Sequence, residues 1–268
     1  MHKHKKPLTK LLSAAFLTLI YIFLYLPIAV IIFFSFNTSK LNIVFQGFTL
    51  QWYGVMLQNS DLMSSLKNTA IVAVSTVIIS VFIGTLAAIG MFRYEFRGKK
   101  IVDSFLYIPI VIPEIVMGIS LLAFYHILNL SLGIITLIIA HVTFSMPFVV
   151  VTVRSRIAGY DMSVEEAAMD LGATRLHTLL RVTIPIIAPG ILSGAMLALT
   201  LSLDDVIVSF FTTGVDSVTL PIYIFNKVKT GVSPDVNALI TVIIIVTLLV
   251  LLSMRTFEAR TRKKGLGK

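Results

Sequence analysis

The sequence has no cysteine and one tryptophan, and only 13% of its 268 residues are charged. Without cysteine there is no disulfide framework, no thiolate metal site and no cysteine nucleophile. A soluble domain carries about 25% charged residues. The shortage of charge, with a mean hydropathy of +0.95, argues against a water-soluble body. A G-x-x-x-x-G-K-[ST] loop is also missing, because Gly98-Lys99 lacks the preceding glycine. The chain therefore cannot hydrolyse ATP by that route. His126 and His141 form no H-x-x-x-H pair and have no thiolate companions, so no metal is expected. No nucleophile elbow and no Ser/His/Asp constellation assembles either. The chain reads as a non-enzyme with no cofactor.

What it has in quantity is apolar length, with 57% hydrophobic residues. A membrane helix needs about 20 mainly apolar residues. Six blocks qualify, near residues 13–36, 68–91, 104–128, 132–153, 189–211 and 236–254. Glu114 interrupts the third block, and Asp204 and Asp205 lie in the fifth. Asn129, Ser131 and Gly133 mark a tight hairpin between the third and fourth. Lys3, Lys5, Lys6 and Lys10 precede the first block, as in a signal peptide. Its apolar stretch is longer than the 7–15 residues typical of a cleaved leader, and no small-x-small site follows, so it is expected to remain as a helix.

The formal net charge of +9 could suggest a nucleic-acid partner, but the positions of the charges argue otherwise. All of the 22 basic residues except Lys40, Lys67, Lys227 and Lys229 fall in one alternate set of loops. By the positive-inside rule that set is cytoplasmic. The expected fold is all-α and polytopic, with six transmembrane helices and both termini in the cytoplasm. The basic residues are then topology signals beside anionic lipid, and nucleic acid is excluded as a partner.

Residues 154–188 form the one sizeable inward loop, and its sequence is ordered. Ser163-Val164-Glu165-Glu166 fits a capping box. A short helix should follow to Leu171, with Gly172 as the left-handed residue that ends it. Thr174 can cap a second short helix, which Pro185 should stop. From local physics, such a bracket is either an ordered loop or a docking element.

The same residues carry a resemblance. Glu166-Ala167-Ala168, then Gly172, then Val182-Thr183-Ile184-Pro185 resemble the EAA signature of binding-protein-dependent ABC importer permeases. The usual isoleucine and leucine are Val182 and Ile184 here. Along nearly its whole length the chain is also similar to the C-type permease subunits of spermidine/putrescine importers. The stretches concerned include Gly47-Phe48-Thr49, Trp52-Tyr53, Arg93-Tyr94, Leu203-Asp204-Asp205-Val206 and Ser233-Pro234-Asp235.

This resemblance implies a type I ABC importer permease fold in the inner (plasma) membrane. A permease domain would span 66–254, with its coupling loop at 154–188. Before it stand a tail, the first helix and an external loop (1–65), and after it a cytoplasmic tail (255–268). Glu166, Ala167, Ala168, Gly172 and Pro185 would form the coupling segment that meets an ATPase. The implied partners are a second homologous permease subunit, two ATPase subunits and an external polyamine-binding protein. Six spans are few to enclose a pathway for an organic solute, which independently argues for a second permease subunit.

Within the apolar blocks every charge is acidic: Glu114, Asp204 and Asp205. Counting 1.5 Å per residue along continuous helices puts Glu114 roughly 15 Å and Asp204 roughly 22 Å up their spans. A mid-membrane carboxylate is costly unless it faces water, a counter-charge or cargo. Glu114 and at least one of the aspartates are therefore candidates to line a cation pathway; the structural reading has them bonding backbone N–H groups near a kink such as Pro113. Adjacent helical residues point about 100° apart, so Asp204 and Asp205 should not both face one lumen. Tyr107, Phe210, Phe211 and Tyr223 are candidate aromatic faces, or plain packing. Trp52 is either an interfacial belt residue or a contact for substrate or binding protein. The expected activity is polyamine import. The alternatives are another small cationic solute, or an ion-coupled carrier in which Glu114 and Asp204 take up protons. A carrier has no use for the bracket.

Overall fold

Apolar runs set most of the helices, and two interruptions break them. The structure, a computed structural model, describes residues 7–40, 44–230 and 233–265. Lys3, Lys5, Lys6 and Lys268 of the charge argument lie outside the described residues, as do the side chains of Lys10 and of Arg255 onward. In chain order the helices are α1 (Pro7–Phe34), α2 (Gln51–Gln58), α3 (Ser60–Arg93), α4 (Lys99–Val111), α5 (Glu114–Ile127) and α6 (Ile134–Ile157). There follow α7 (Ser163–Asp170), α8 (Arg175–Thr178), a π turn (Leu179–Thr183), α9 (Ile184–Asp204), α10 (Ile207–Thr212), α11 (Leu220–Thr230) and α12 (Pro234–Gly265). Among the described residues extended pairing is limited to an isolated Asn37–Phe48 bridge.

Helices α1, α3, α6 and the run Arg175–Asp204 are each long and apolar enough to cross a membrane. The third expected block is not one helix: α4 and α5 meet at a bend of 112°. Pro113 explains the break. Its ring crowds the α region of the preceding residue, and Ile112 accordingly takes an extended ψ of 135°. The fifth block is also interrupted. Helix α9 ends at Asp204, and Asp205 has an extended ψ of 124°. The sixth falls in α12, whose described apolar stretch, Pro234–Leu249, is shorter than the others.

The chain divides into two compact units. The first, from the described residues of Met1–Met63 and Asn226–Lys268, packs α1, α2 and α12 together. Asn37 organises its connection between α1 and α2. Its side chain donates to the Val44 carbonyl (2.8 Å) and accepts the Gln46 N–H (2.8 Å). Asn59 donates to Asp235 Oδ2 at 2.7 Å.

The second unit, Ser64–Phe225, is built on α6. Val149, Val150, Val153 and Ile157 of α6 pack with Ile187 and Ala198 of α9 and with Ala88, Ile89 and Met91 of α3. Lipid tails are as apolar as these side chains, so helix association rests on close packing and hydrogen bonds rather than on apolar transfer from water. Gly84 permits one such approach: a Cβ there would lie 3.0 Å from Val149 Cβ. Sequence reading favours Gly90 for close helix contact, but a Cβ at Gly90 would meet nothing within 4 Å.

Candidate functional site

Both helix breaks open onto one cleft. It has a volume of about 520 Å³ and lies within the second unit. Glu114, Pro113, Met117 and Ile112 line it from the α4–α5 break, and Asp204, Asp205, Val206 and Leu201 from the α9–α10 break. Its aromatic walls are Phe144 and Phe148 of α6. The aromatics singled out by sequence lie elsewhere: Phe211 packs on Gly118, while Phe210 meets Phe211 and Phe225 edge-on. Tyr107 and Tyr223 are likewise absent from the lining. The short helices that follow the breaks, α5 and α10, pack against each other.

Both aspartates line the cleft, contrary to the expectation for a continuous helix, but the break gives them different environments. Asp204 ends α9 and is exposed along the cleft. Asp205 is buried, and its carboxylate accepts the Val208 N–H at 3.2 Å and the Ser209 N–H at 2.7 Å. Those bonds satisfy free N–H groups at the start of α10, the usual work of an N-terminal capping aspartate. An aspartate that bonds the backbone ahead of it offers an alternative to continued helix, which accounts for the break at this residue.

The electrostatics favour a cation. No basic residue lines the cleft. The ends of α4 and α9 place C-terminal carbonyls there, which carry partial negative charge. The opposite, positive ends of α5 and α10 each meet a carboxylate, Glu114 in the first turn of α5 and Asp205 at the start of α10. Broken helices are tolerated at membrane depth where the irregular backbone is buried in protein or lines a cavity.

The bracket differs from its sequence reading in two details. Ser163 does not cap α7 through a box with Glu166. The N-cap residue is Met162, and Asp161 Oδ1 accepts the Ser163 N–H at 3.0 Å. That bond holds the Asp161 carboxyl below its ordinary pKa. Glu166 and Ala167 are exposed, and Ala168 is half-buried. Gly172 has φ +91° and ends the helix as expected. Thr174 Oγ1 accepts the His177 N–H at 3.3 Å, also as expected. Pro185, however, does not stop a helix. It sits in the first turn of α9, directly after the π turn. There the Ile184 N–H reaches back five residues to the Leu179 carbonyl. The wider turn accommodates a residue that has no N–H and whose ring would collide with the preceding turn.

Sequence reasoning missed the residue that anchors the bracket. Glu165 is buried, accepts from Arg93 Nη2 at 2.5 Å and accepts the Thr183 hydroxyl at 2.6 Å. Arg93 also donates to Thr183 Oγ1 at 3.0 Å. Three elements, α3, α7 and the π turn, are thereby joined. Burial, and the Glu165 charge beside it, push the Tyr160 hydroxyl above its ordinary pKa. Arg154 pairs in addition with Asp103 of α4. The only advance signal was an acidic neighbour beside Glu166. Trp52 belongs to the first unit, where it is buried and donates its indole N–H to the Asn37 carbonyl at 2.6 Å.

Comparison with known proteins agrees with this architecture. Residues 80–263 match the model of the family described as binding-protein-dependent transport system inner membrane component. The chain is 42% identical over 258 residues to the spermidine/putrescine transport system permease protein PotC of Shigella flexneri, covering 96% of this chain and 97% of that one. It is 39% identical over 229 residues to the putrescine transport system permease protein PotI of Escherichia coli strain K12, covering 83% and 82%. Among solved structures, a bacterial ABC transporter involved in import of the acidic polysaccharide alginate shares the fold with a TM-score of 0.73 at 17% identity, over 96% of this chain and 98% of that one. Apolar spans, a cleft at two helix breaks and an EAA bracket thus coincide with a family match over most of the chain, which belongs to the inner-membrane components of binding-protein-dependent transport systems.

Proposed function

We propose that the chain is one permease half of an ATP-driven polyamine importer, and that Glu114 and Asp204 line the path of the cation. The observation that carries this reading is the pair of carboxylates on one cleft that has phenylalanine walls and no basic residue. A polyamine carries ammonium groups on an apolar stem. Spaced carboxylates suit the ammonium groups, and the ring faces of Phe144 and Phe148 suit both parts. The shared fold does not choose the cargo, since its alginate-importing neighbour handles an acidic polymer. The lining must choose it, and the cargoes named for the PotC and PotI relatives agree with an acidic lining. Asp205 serves the pathway by building the break. Trp52 holds the α1–α2 connection, because its one polar atom is already bonded there.

Both termini are assigned to the cytoplasm, 66–254 to the permease domain, and α7 with its flanks to the coupling segment. Exposed Glu166 and Ala167, with Ala168, would meet a separate ATPase subunit, while Gly172 and Pro185 shape the ends of the bracket. A second homologous permease subunit would close the pathway, and an external polyamine-binding protein would deliver cargo. An ion-coupled carrier leaves the bracket unused and does not fit a binding-protein-dependent family.

Uptake of labelled spermidine and putrescine into vesicles carrying the assembled importer tests the pathway. Asp204→Asn and Glu114→Gln should each lower uptake by about tenfold or more, the scale of a lost charge-assisted contact. Wild-type uptake in both would remove the pathway assignment. Charge reversal at Glu166 should weaken co-purification with the ATPase while membrane insertion stays normal.

A further inference from the structure

Behind the cleft wall lies a histidine that the pathway reading does not use. His141 of α6 is 1% exposed and is not among the residues lining the cleft. Its ring stands 5.1 Å from that of Phe144, which does line it. Both ring nitrogens are engaged: Nδ1 lies 2.7 Å from Ser202 Oγ, and Nε2 lies 2.8 Å from Ser209 Oγ. A neutral imidazole offers one donor and one acceptor, so one serine accepts and the other donates. Ser202 is in the last turn of α9, and Ser209 is in α10. The two bonds therefore straddle the break at Asp205. Asp205 joins the same group, with Oδ2 3.5 Å from Nε2 while it accepts the Ser209 N–H.

We propose that His141 is a positioning residue for the transport path: it pins the end of α9 and the start of α10 to α6, and so fixes where Asp204 stands in the cleft. The inference rests on the reading that Asp204 faces cargo. Two helix ends separated by the extended residue Asp205 have no continuous backbone ladder to hold their relative angle. Bonds from a third helix supply that constraint, and α6 packs along both α9 and α10. Because each nitrogen is already bonded to a hydroxyl, His141 is not a cargo ligand. Its effect passes through Ser202 and Ser209 to Asp204, which lies between them on the cleft.

The assembled importer in vesicles tests this with five variants: His141→Ala, His141→Gln, Asp204→Asn, Asp204→Glu, and His141→Ala combined with Asp204→Glu. His141→Ala should lower uptake about tenfold, the loss expected from one or two buried hydrogen bonds. His141→Gln keeps one donor and one acceptor and should restore most of it. Combined with Asp204→Glu, which retains the charge but moves it, the effects should be non-additive, because the two residues act on one geometry. Wild-type uptake in His141→Ala, beside a defective Asp204→Asn, overturns the inference alone. So does strict additivity in the combined variant. Wild-type uptake in Asp204→Asn overturns the pathway reading and the inference with it. Should His141→Ala not assemble, Ser209→Ala removes only one of the bonds and should lower uptake about threefold. Wild-type uptake there overturns the proposal.

Discussion

The Asp205 carboxylate is committed to two backbone N–H groups, whereas Asp204 has no such duty, so neighbouring substitutions should report on different properties. Asp205→Ala removes a capping acceptor at a buried site and should destabilise the purified protein by about 1–2 kcal/mol. Asp204→Ala should leave the melting temperature near that of the wild type while uptake falls. Thermal unfolding in detergent, beside vesicle uptake, separates the two; equal losses of stability would contradict the assignment. Gly84 and Gly90 form a second contrasting pair. Gly84→Ala forces a methyl to within 3.0 Å of Val149 and should cost about 1 kcal/mol or more. At Gly90 an added methyl meets nothing within 4 Å, and better helix propensity should make Gly90→Ala neutral or slightly stabilising. The sequence suffices to mark Asp204, Asp205 and Glu114 as unusual, because a charge in an apolar block is visible without coordinates. It does not separate the aspartates, since the capping role depends on a helix that starts two residues later. It also points to Gly90 rather than Gly84 as the close-contact glycine, since the difference lies in what α6 presents to each.

At the scale of elements, the bracket is held by long-range bonds. Arg93 and Glu165 are 72 positions apart, and their side chains are 19% and 6% exposed. Removing one partner of a pair this buried costs more than the pair is worth, because the other charge is left unsatisfied. Glu165→Ala should therefore destabilise the bracket by about 3 kcal/mol and loosen ATPase attachment. Exchanging the two as Arg93→Glu with Glu165→Arg should recover part of the loss, and co-purification of the ATPase provides the measurement. No recovery together with a normal Glu165→Ala would mean that the pair does not hold the bracket. Gly172→Ala should cost about 1 kcal/mol by backbone strain alone, since φ is +91° and an added methyl meets nothing within 4 Å. Thr174 and Gly172 were readable because their partners lie within one turn. Glu165, His141 and the cap at Asp161 were not. The first two depend on contacts across many tens of residues, and at the third Ser163-x-x-Glu166 offers an equally plausible local alternative. Pro185 misled for a related reason: its effect depends on the width of the turn before it, which composition does not reveal.

For the molecule as a whole, the absence of cysteine makes topology directly measurable. Leu171 is 90% exposed on the bracket and Val215 is 93% exposed between α10 and α11. A single Leu171→Cys should react with an impermeant maleimide only from the cytoplasmic side, and a single Val215→Cys only from the opposite side. Labelling of both from one face would invert or abolish the proposed orientation. The apolar blocks identified the membrane class because hydropathy integrates over whole helices. They did not reveal the two breaks that create the cleft, because proline and aspartate act on a few torsions each. The wide turn at residues 179–183 has a consequence at the far end of its helix. Each residue of an α-helix turns the chain by about 100°. Deleting one residue there would tighten the spiral and swing everything downstream round its axis. The acidic tip would then leave the cleft with no change to any residue near it, so the bearing of that tip is set some twenty positions away, where α9 begins.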